Sequence, residues 1–183
     1  MYRVKKVICF SLLLIVLCIG YSLYYFNQYY IKDANVSIQS NLNEWLNRGK
    51  TEHISANLIK VVRVNHSNSY IALFRLENDD IGYSHLIKGL NGKYKIELAG
   101  YGTNEVSYVN IRTNEGEYGI LIGKNPGLKI NHIVTKLVYE EVSFTTDVSK
   151  EEMFVKYEKL SSDFKKTFPA ELIYYDENNI IIN

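Results

Sequence analysis

Four histidines, several adjacent acid pairs and a large number of tyrosines are the residues that could do chemistry. His53, His66, His85 and His132 stand far apart. None has a second histidine at i+2 or i+4, the spacings that set two ligands on one face of a strand or helix. Asp79-Asp80, Glu140-Glu141 and Glu151-Glu152 are neighbours in sequence, but neighbours on a strand point to opposite faces. A catalytic acid pair, or a histidine acting with Asp79, Asp80 or Glu97, must therefore assemble from distant segments. Asp79-Asp80 reads as turn chemistry. It lacks the alternating oxygen ligands and placed glycine of a calcium loop. His132 falls on an apolar alternation with Leu128, Ile130 and Val134, which predicts a hydrogen-bonded core histidine.

No motif organises these groups. There is no Gly-x-Ser-x-Gly elbow and no His-Glu-x-x-His. The stretch Gly119-Ile120-Leu121-Ile122-Gly123-Lys124 lacks the spacing of a phosphate-binding loop, and Asn125 stands where Ser or Thr is required. It reads as a strand. Ala99-Gly100-Tyr101-Gly102 reads as the approach to a turn. Neither a catalytic residue nor a metal or cofactor site is expected.

The tyrosines number 16. Tyr94, Tyr101, Tyr108 and Tyr118, with the single Trp45, are the candidate binding residues. On one sheet face they would make a rigid platform for a glycan, a peptide or a partner protein. The alternative is that tyrosine fills a β core while its hydroxyl reaches water. For Trp45 the two readings are a core anchor and a membrane-surface contact.

The elements that must position these groups are mostly strands. Turn signals begin at Asn65, Asn78, Asn91, Thr103, Asn114 and Asn125, in steps of 13, 13, 12, 11 and 11 residues. Strands of about eight residues joined by short turns give that spacing. Asn91-Gly92 predicts a type I′ hairpin. Tyr94, Ile96 and Leu98 alternate with charges, and Tyr118, Ile120 and Ile122 form a second face. Gly119 and Gly123 inside strand patterns suggest bulges or strong bending. Seven strands between His53 and Leu137 predict an antiparallel meander, a curved sheet or partial barrel. A further strand is expected near Val138–Thr145, and a closing hairpin over Leu172–Tyr175 and Ile180–Ile182.

Two helices should flank the meander. Ile38, Leu42, Trp45 and Leu46 form one stripe over Asp33–Arg48, with Asp33 as N-cap and Gly49 after the last turn. Ser149 and Glu152 spell a capping box, and Phe154, Tyr157, Leu160 and Phe164 mark a helix face reaching Lys166. This second helix should pack across the sheet. The fold class expected is α+β, mainly β.

The chain opens with Arg3, Lys5 and Lys6, then an uncharged run from Val7 to Phe26. Twenty helical residues span about 30 Å, the hydrocarbon thickness of a bilayer. The cations place the N-terminus in the cytoplasm and the rest outside. Tyr21, Tyr24, Tyr25, Tyr29 and Tyr30, with Phe26, form an interfacial belt at the exit. An uncleaved signal-anchor is the reading carried forward. A cleaved signal peptide, a lipidated Cys18 and a buried core helix stand beside it.

Net charge is +1 overall, and −2 once the three N-terminal cations are set aside. That is no basic patch for a phosphate backbone, so nucleic acid is not an expected partner. Cys9 and Cys18 are the only cysteines and both lie in the apolar run. The outer part therefore has no disulfide framework and no thiolate chemistry.

Three segments follow. Residues 1–30 are a cytoplasmic tip and transmembrane anchor, 31–50 a juxtamembrane amphipathic helix, and 51–183 an extracytoplasmic β-rich domain. The segment Gly89-Leu90-Asn91-Gly92-Lys93-Tyr94-Lys95-Ile96, inside such a plan, resembles uncharacterised single-pass membrane proteins of Bacillus-like Gram-positive bacteria. The resemblance covers roughly residues 70–135 and implies topology alone. The function expected is a membrane-anchored binding module at the cell envelope, with the lipid bilayer and an envelope protein or cell-wall component as partners. A wall-acting hydrolase and an accessory subunit of a membrane complex are the alternatives.

Overall fold

The computed structural model describes residues 2–51 and 53–182, apart from the side chains of residues 2–5 and 7–9. Arg3, Lys5 and Cys9 fall among those side chains, outside the described set. Two α-helices come first, α1 (Tyr2–Gln28) and α2 (Asn35–Leu46). Strands follow: β1 (Ala56–Arg63), β2 (Ser69–Leu76), β3 (Ile81–Lys88), β4 (Tyr94–Gly102), β5 (Val106–Thr113) and β6 (Gly116–Lys124). Then come β7 (His132–Leu137), β8 (Ser143–Asp147), β9 (Met153–Lys159), β10 (Ala170–Tyr175) and β11 (Ile181–Ile182). All pairings are antiparallel.

The seven strands before Leu137 are present, but they do not form one meander. They divide among three sheets: a first sheet β1-β2-β3-β4, a middle sheet β5-β6-β9 and a third sheet β11-β10-β7-β8. None closes into a barrel. Five of the six turn signals carry a residue at positive φ: Asn65, Asp79, Gly92, Gly116 and Gly127. The sixth, at Thr103-Asn104, does not return the chain along its own sheet. It carries β4 across to β5 in the next layer.

The layers stack in the order α2, first sheet, middle sheet, third sheet. Alternation explains it. In β2, Ala72 and Phe74 face α2, while Ile71 and Leu73 face the middle sheet. In β6, Tyr118, Ile120 and Ile122 meet the first sheet. Leu121, on the opposite face, meets Ile133 and Leu137 of the third sheet. β6 is thus buried on both faces. Gly119 and Gly123 share the face of Leu121 and are not bulges, since β6 pairs with β5 and β9 without a register shift. They make room: a Cβ on Gly119 would lie 2.8 Å from the Tyr108 ring, and one on Gly123 2.6 Å from the Phe154 ring.

The helix expected over Ser149–Lys166 is absent. Residues Met153–Lys159 are β9. Phe154 packs toward the third sheet and Val155 toward the first, a period of two. The helical spacing of Phe154, Tyr157, Leu160 and Phe164 is outweighed by the open edge of β6, whose backbone groups β9 satisfies. Ser149 Oγ donates to Asp147 Oδ1 and caps nothing. The third sheet occupies the place assigned to that helix.

Parity also shifts in β7. Ile133, Thr135 and Leu137 are buried there, while His132 and Val134 are half-buried on the other face. Leu128 is exposed in the short 3₁₀ turn Pro126–Leu128 at φ 54°, so the alternation read through it is broken. Buried Asn125 sets this loop, with Nδ2 donating to the carbonyls of Ile130 and Val148 and Oδ1 accepting from Ile130 N.

α2 begins two residues later than expected. Ala34 holds the N-cap position without a side-chain cap, and Asp33 instead pairs with Lys88 at 2.7 Å. Ile38, Leu42 and Leu46 are buried as the stripe predicts. A second row guards the edge of the first sheet. Gln39, Asn43 and Asn47 accept from the backbone N–H groups of Leu58, Ala56 and Ile54 at 3.1, 2.8 and 2.7 Å. Four helical residues rise about 6 Å and two strand residues about 6.6 Å, so the two ladders keep step.

The first and middle sheets are also clipped by charge. Glu151, just before β9, lies 2.7 Å from Lys60 of β1 and 2.6 Å from Lys156 of β9. Hydrogen bonds from Lys156, then Lys60, hold its carboxyl below the usual range. α1 is long and apolar enough to cross a membrane from Phe10 to Gln28, and no part of that stretch is buried. A signal sequence has the same properties.

The double burial of β6 yields a prediction. Gly119→Ala should destabilise the domain by about 1–3 kcal/mol, because the Tyr108 ring must move within a packed layer. A thermal melt unchanged from the parent chain would contradict this role for Gly119.

Candidate functional site

The five aromatic residues picked out by sequence do not share a face. Tyr94 is 2%, Tyr108 7% and Tyr118 1% exposed. Each belongs to a different cluster: Tyr94 lies between α2 and the first sheet, Tyr118 between the first and middle sheets, and Tyr108 between the middle and third. Their polar tips are occupied or withdrawn. Asn65 Nδ2 donates to the Tyr118 hydroxyl at 3.0 Å, and the Tyr108 hydroxyl donates to the Thr167 carbonyl at 3.0 Å. Burial pushes the Tyr108 hydroxyl up to about 12 and raises Tyr94 further, beside Asp33. A platform built from these three is ruled out: each strand presents its alternate residues to a different neighbouring layer.

Trp45 is half-buried, packed against the cluster of Ile31, Ile38 and Tyr94. The Arg48 guanidinium covers its ring at 4.3 Å from the centroid. Its ring thus lies at the edge of that cluster with Arg48 over it.

Tyr101 is different. It is 43% exposed and lines a cleft of about 370 Å³ at one end of the first sheet. Three segments meet there: the loop after α2, the β2–β3 turn and the last residues of β4. The register of β3 and β4 sets Tyr101 opposite Gly82. Asn47 fixes the loop through its bonds to both backbone groups of Ile54. The walls include Lys50, His53, Ser55, Glu77 and Asn78. Lys50 Nζ donates to the Tyr101 hydroxyl at 3.1 Å and sits 5.1 Å from the ring centroid. The cleft thus offers an aromatic ring, the Lys50 ammonium, the Glu77 carboxylate, the His53 imidazole, the Asn78 amide and the hydroxyls of Ser55 and Tyr101.

Sequence reasoning missed Lys50 and His53 as neighbours of Tyr101. No spacing signals them, since residues 50, 53 and 101 meet only through strand register and the loop clamp. Gly49 at φ 66°, marking where the helix stops, was the one local hint of a loop there.

The other candidate chemical groups are dispersed. Glu140 Oε1 accepts from the backbone of Lys165 and Lys166, and so binds a loop. Asp79 sits at φ 69° in the β2–β3 turn. His132 stacks on Tyr175 with centroids 4.8 Å apart, half-buried and not in the core as expected. Among the described residues no group of three or more His, Cys, Asp or Glu side chains could hold a metal ion. Comparison with family models, with curated proteins and with solved structures finds no match to the chain.

His85 is buried in β3 and its Nε2 has no hydrogen-bond partner among the described residues. Burial lowers its pKa from the ordinary 6.5, against a weaker opposing pull from Glu97. The folded domain therefore holds it neutral, while the unfolded chain protonates it first. Stability should be full above pH 6.5 and fall as pH drops toward the depressed folded value. In His85→Leu that decline should be smaller between pH 6.5 and about 5, where Glu151, Asp33 and Asp147, all shifted downward, stay ionised. Melting temperature against pH reads this directly. Parallel curves for the two proteins would remove His85 as the acid-sensitive group.

Proposed function

We propose that this chain is a single-pass, membrane-anchored binding module of a bacterial envelope. α1 crosses the bilayer with its N-terminus in the cytoplasm, and the sheet stack stands outside. The carrying observation is that α1 leaves its apolar side chains exposed from Phe10 to Tyr24, with only Tyr25 and Gln28 half-buried beyond, while the chain just past its exit end is bonded to the folded domain. Ile31 and Tyr94 exchange backbone hydrogen bonds at 3.1 and 2.8 Å, two residues after Tyr29. A lipid phase is the environment that accepts the first feature. The second makes the helix and the domain one mechanical unit.

Binding is assigned to the Tyr101 cleft. It lies at the opposite end of β4 from the Ile31–Tyr94 bridge, and so faces away from the anchor. An aromatic ring beside a cation, an amide and hydroxyls suits a cell-wall glycan or its peptide stems: sugar rings lie on aromatic faces, and carboxylates pair with ammonium groups. This reading replaces a broad tyrosine platform with one ring in a polar cleft.

Purified Gram-positive peptidoglycan is the probe for the cleft. Tyr101→Ala and Lys50→Ala should each weaken sedimentation with it by about tenfold, with melting temperatures unchanged because both side chains are exposed. Equal binding by parent and variants would remove the cleft as the site. Orientation has its own test: protease added to intact protoplasts should digest the domain after Ile31 and spare α1. Full protection of the domain would reverse the topology.

A further inference from the structure

The β3–β4 turn departs from the form its sequence predicts. Asn91-Gly92 should occupy the centre of a type I′ turn, which needs positive φ at both. Only Gly92 has it, at 74°. Gly92 N donates back to the Gly89 carbonyl, and Gly89 N to the Lys93 carbonyl. The turn therefore centres on Leu90-Asn91, with Gly92 as the following left-handed residue. The shift puts Leu90 at the tip, 90% exposed.

That tip lies against the exit end of α1. The Tyr29 ring rests on Gly89, where a Cβ would come within 2.6 Å of it. Asn91 Nδ2 donates to the Tyr29 carbonyl at 2.9 Å, and Leu90 N to the Tyr25 hydroxyl at 3.4 Å. Contacts thus run back down the helix as the hairpin approaches its tip: Ile31 to Tyr94, Tyr29 to Gly89, Tyr25 to Leu90. Tyr25 is four residues inside Tyr29, about 6 Å along the axis. It belongs to the apolar run that ends at Phe26, which is itself exposed.

We infer that Leu90 is a second membrane contact, inserted into the headgroup–acyl boundary of the outer leaflet beside α1. The inference rests on α1 being a membrane-spanning anchor. Depth decides the occupant. A side chain level with Tyr25 is level with lipid if the run Val7–Phe26 is, so the solvent around Leu90 is the bilayer interface. Its neighbours suit that place: Tyr30 is exposed beside the belt, and Lys93 and Lys32 are exposed where ammonium groups meet lipid phosphates. With two contacts instead of one, the domain cannot swivel about α1. β4 runs away from this tip, and the steps from Tyr94 to Tyr101 set the cleft roughly 23 Å along the strand from the Ile31–Tyr94 bridge.

Tryptophan fluorescence tests this in the full chain, reconstituted in phosphatidylcholine vesicles. Trp45→Phe removes the only native tryptophan. In that background Leu90→Trp should emit at shorter wavelength than Asn104→Trp in the same vesicles, and lose roughly half its intensity when acyl chains are brominated near the headgroup. Asn104→Trp, just past the far end of β4, should show neither effect. Water-like, unquenched emission from Leu90→Trp, with α1 still resisting alkaline carbonate extraction, would overturn the inference and leave the anchor intact. Extraction of the chain by carbonate would overturn the anchor, and the inference with it.

Discussion

The fold depends on β6 being packed on both faces. A strand in that position must present side chains to two layers at once, and its two faces solve the problem differently. Tyr118, Ile120 and Ile122 fill the space toward the first sheet. Toward the third sheet the buried apolar side chain is Leu121, flanked by Gly119 and Gly123, and the missing volume comes from Tyr108 and Phe154 of the neighbouring strands. Large rings over glycines bring adjacent strands into contact without a gap. Remove that fit and three sheets have no common centre. The late strand β9 is recruited for the same reason, since β6 needs a partner on its second edge.

The first sheet is finished differently. The outer edge of β1, opposite its pairing with β2, is served not by a strand but by the amides of Gln39 and Asn43 of α2 and of Asn47 at its C-cap. A helix with polar groups every four residues can satisfy an edge with free donors every two, which protects that edge from other chains. The same helix carries Ile38, Leu42 and Leu46 into the core. It joins the sheet stack to α1 through the short stretch that includes Ile31. Connection to α1, edge protection and core packing are thus carried by one segment of about 20 residues.

Function, as proposed, follows from polarity along β4. One end meets the aromatic exit of α1, and the other supports Tyr101 and Lys50. Tyrosine serves three purposes along the way. It is a ring at the end of α1 at Tyr25 and Tyr29, a core ring at Tyr94, Tyr108 and Tyr118, and an exposed ring at Tyr101. The side chain is the same in each, and only the layer it meets differs.

Much of this was legible in the residues. The apolar run from Val7 to Phe26, the stripe of α2, seven strands before Leu137 and five turns with a left-handed residue follow from local chemistry: charge, helical period, and the tolerance of Asn, Asp and Gly for positive φ. Such properties need only near neighbours along the chain. What was misread needed distant ones. Residues Met153–Lys159 fit a helix period and a strand period alike, and the open edge of β6 chose between them. Tyr94 and Tyr118 lie on apolar alternation faces of their strands, a pattern that fits an open platform and a filled core alike, and the layers opposite, α2 for Tyr94 and a neighbouring sheet for Tyr118, decided for the core. Lys50, His53 and Tyr101 carry no common spacing, and strand register brought them together. The sequence alone determined which segments are apolar, extended or turned, because those choices are made within a few residues. Tertiary structure decided which faces are buried and which side chains meet, because burial depends on what the rest of the chain places opposite.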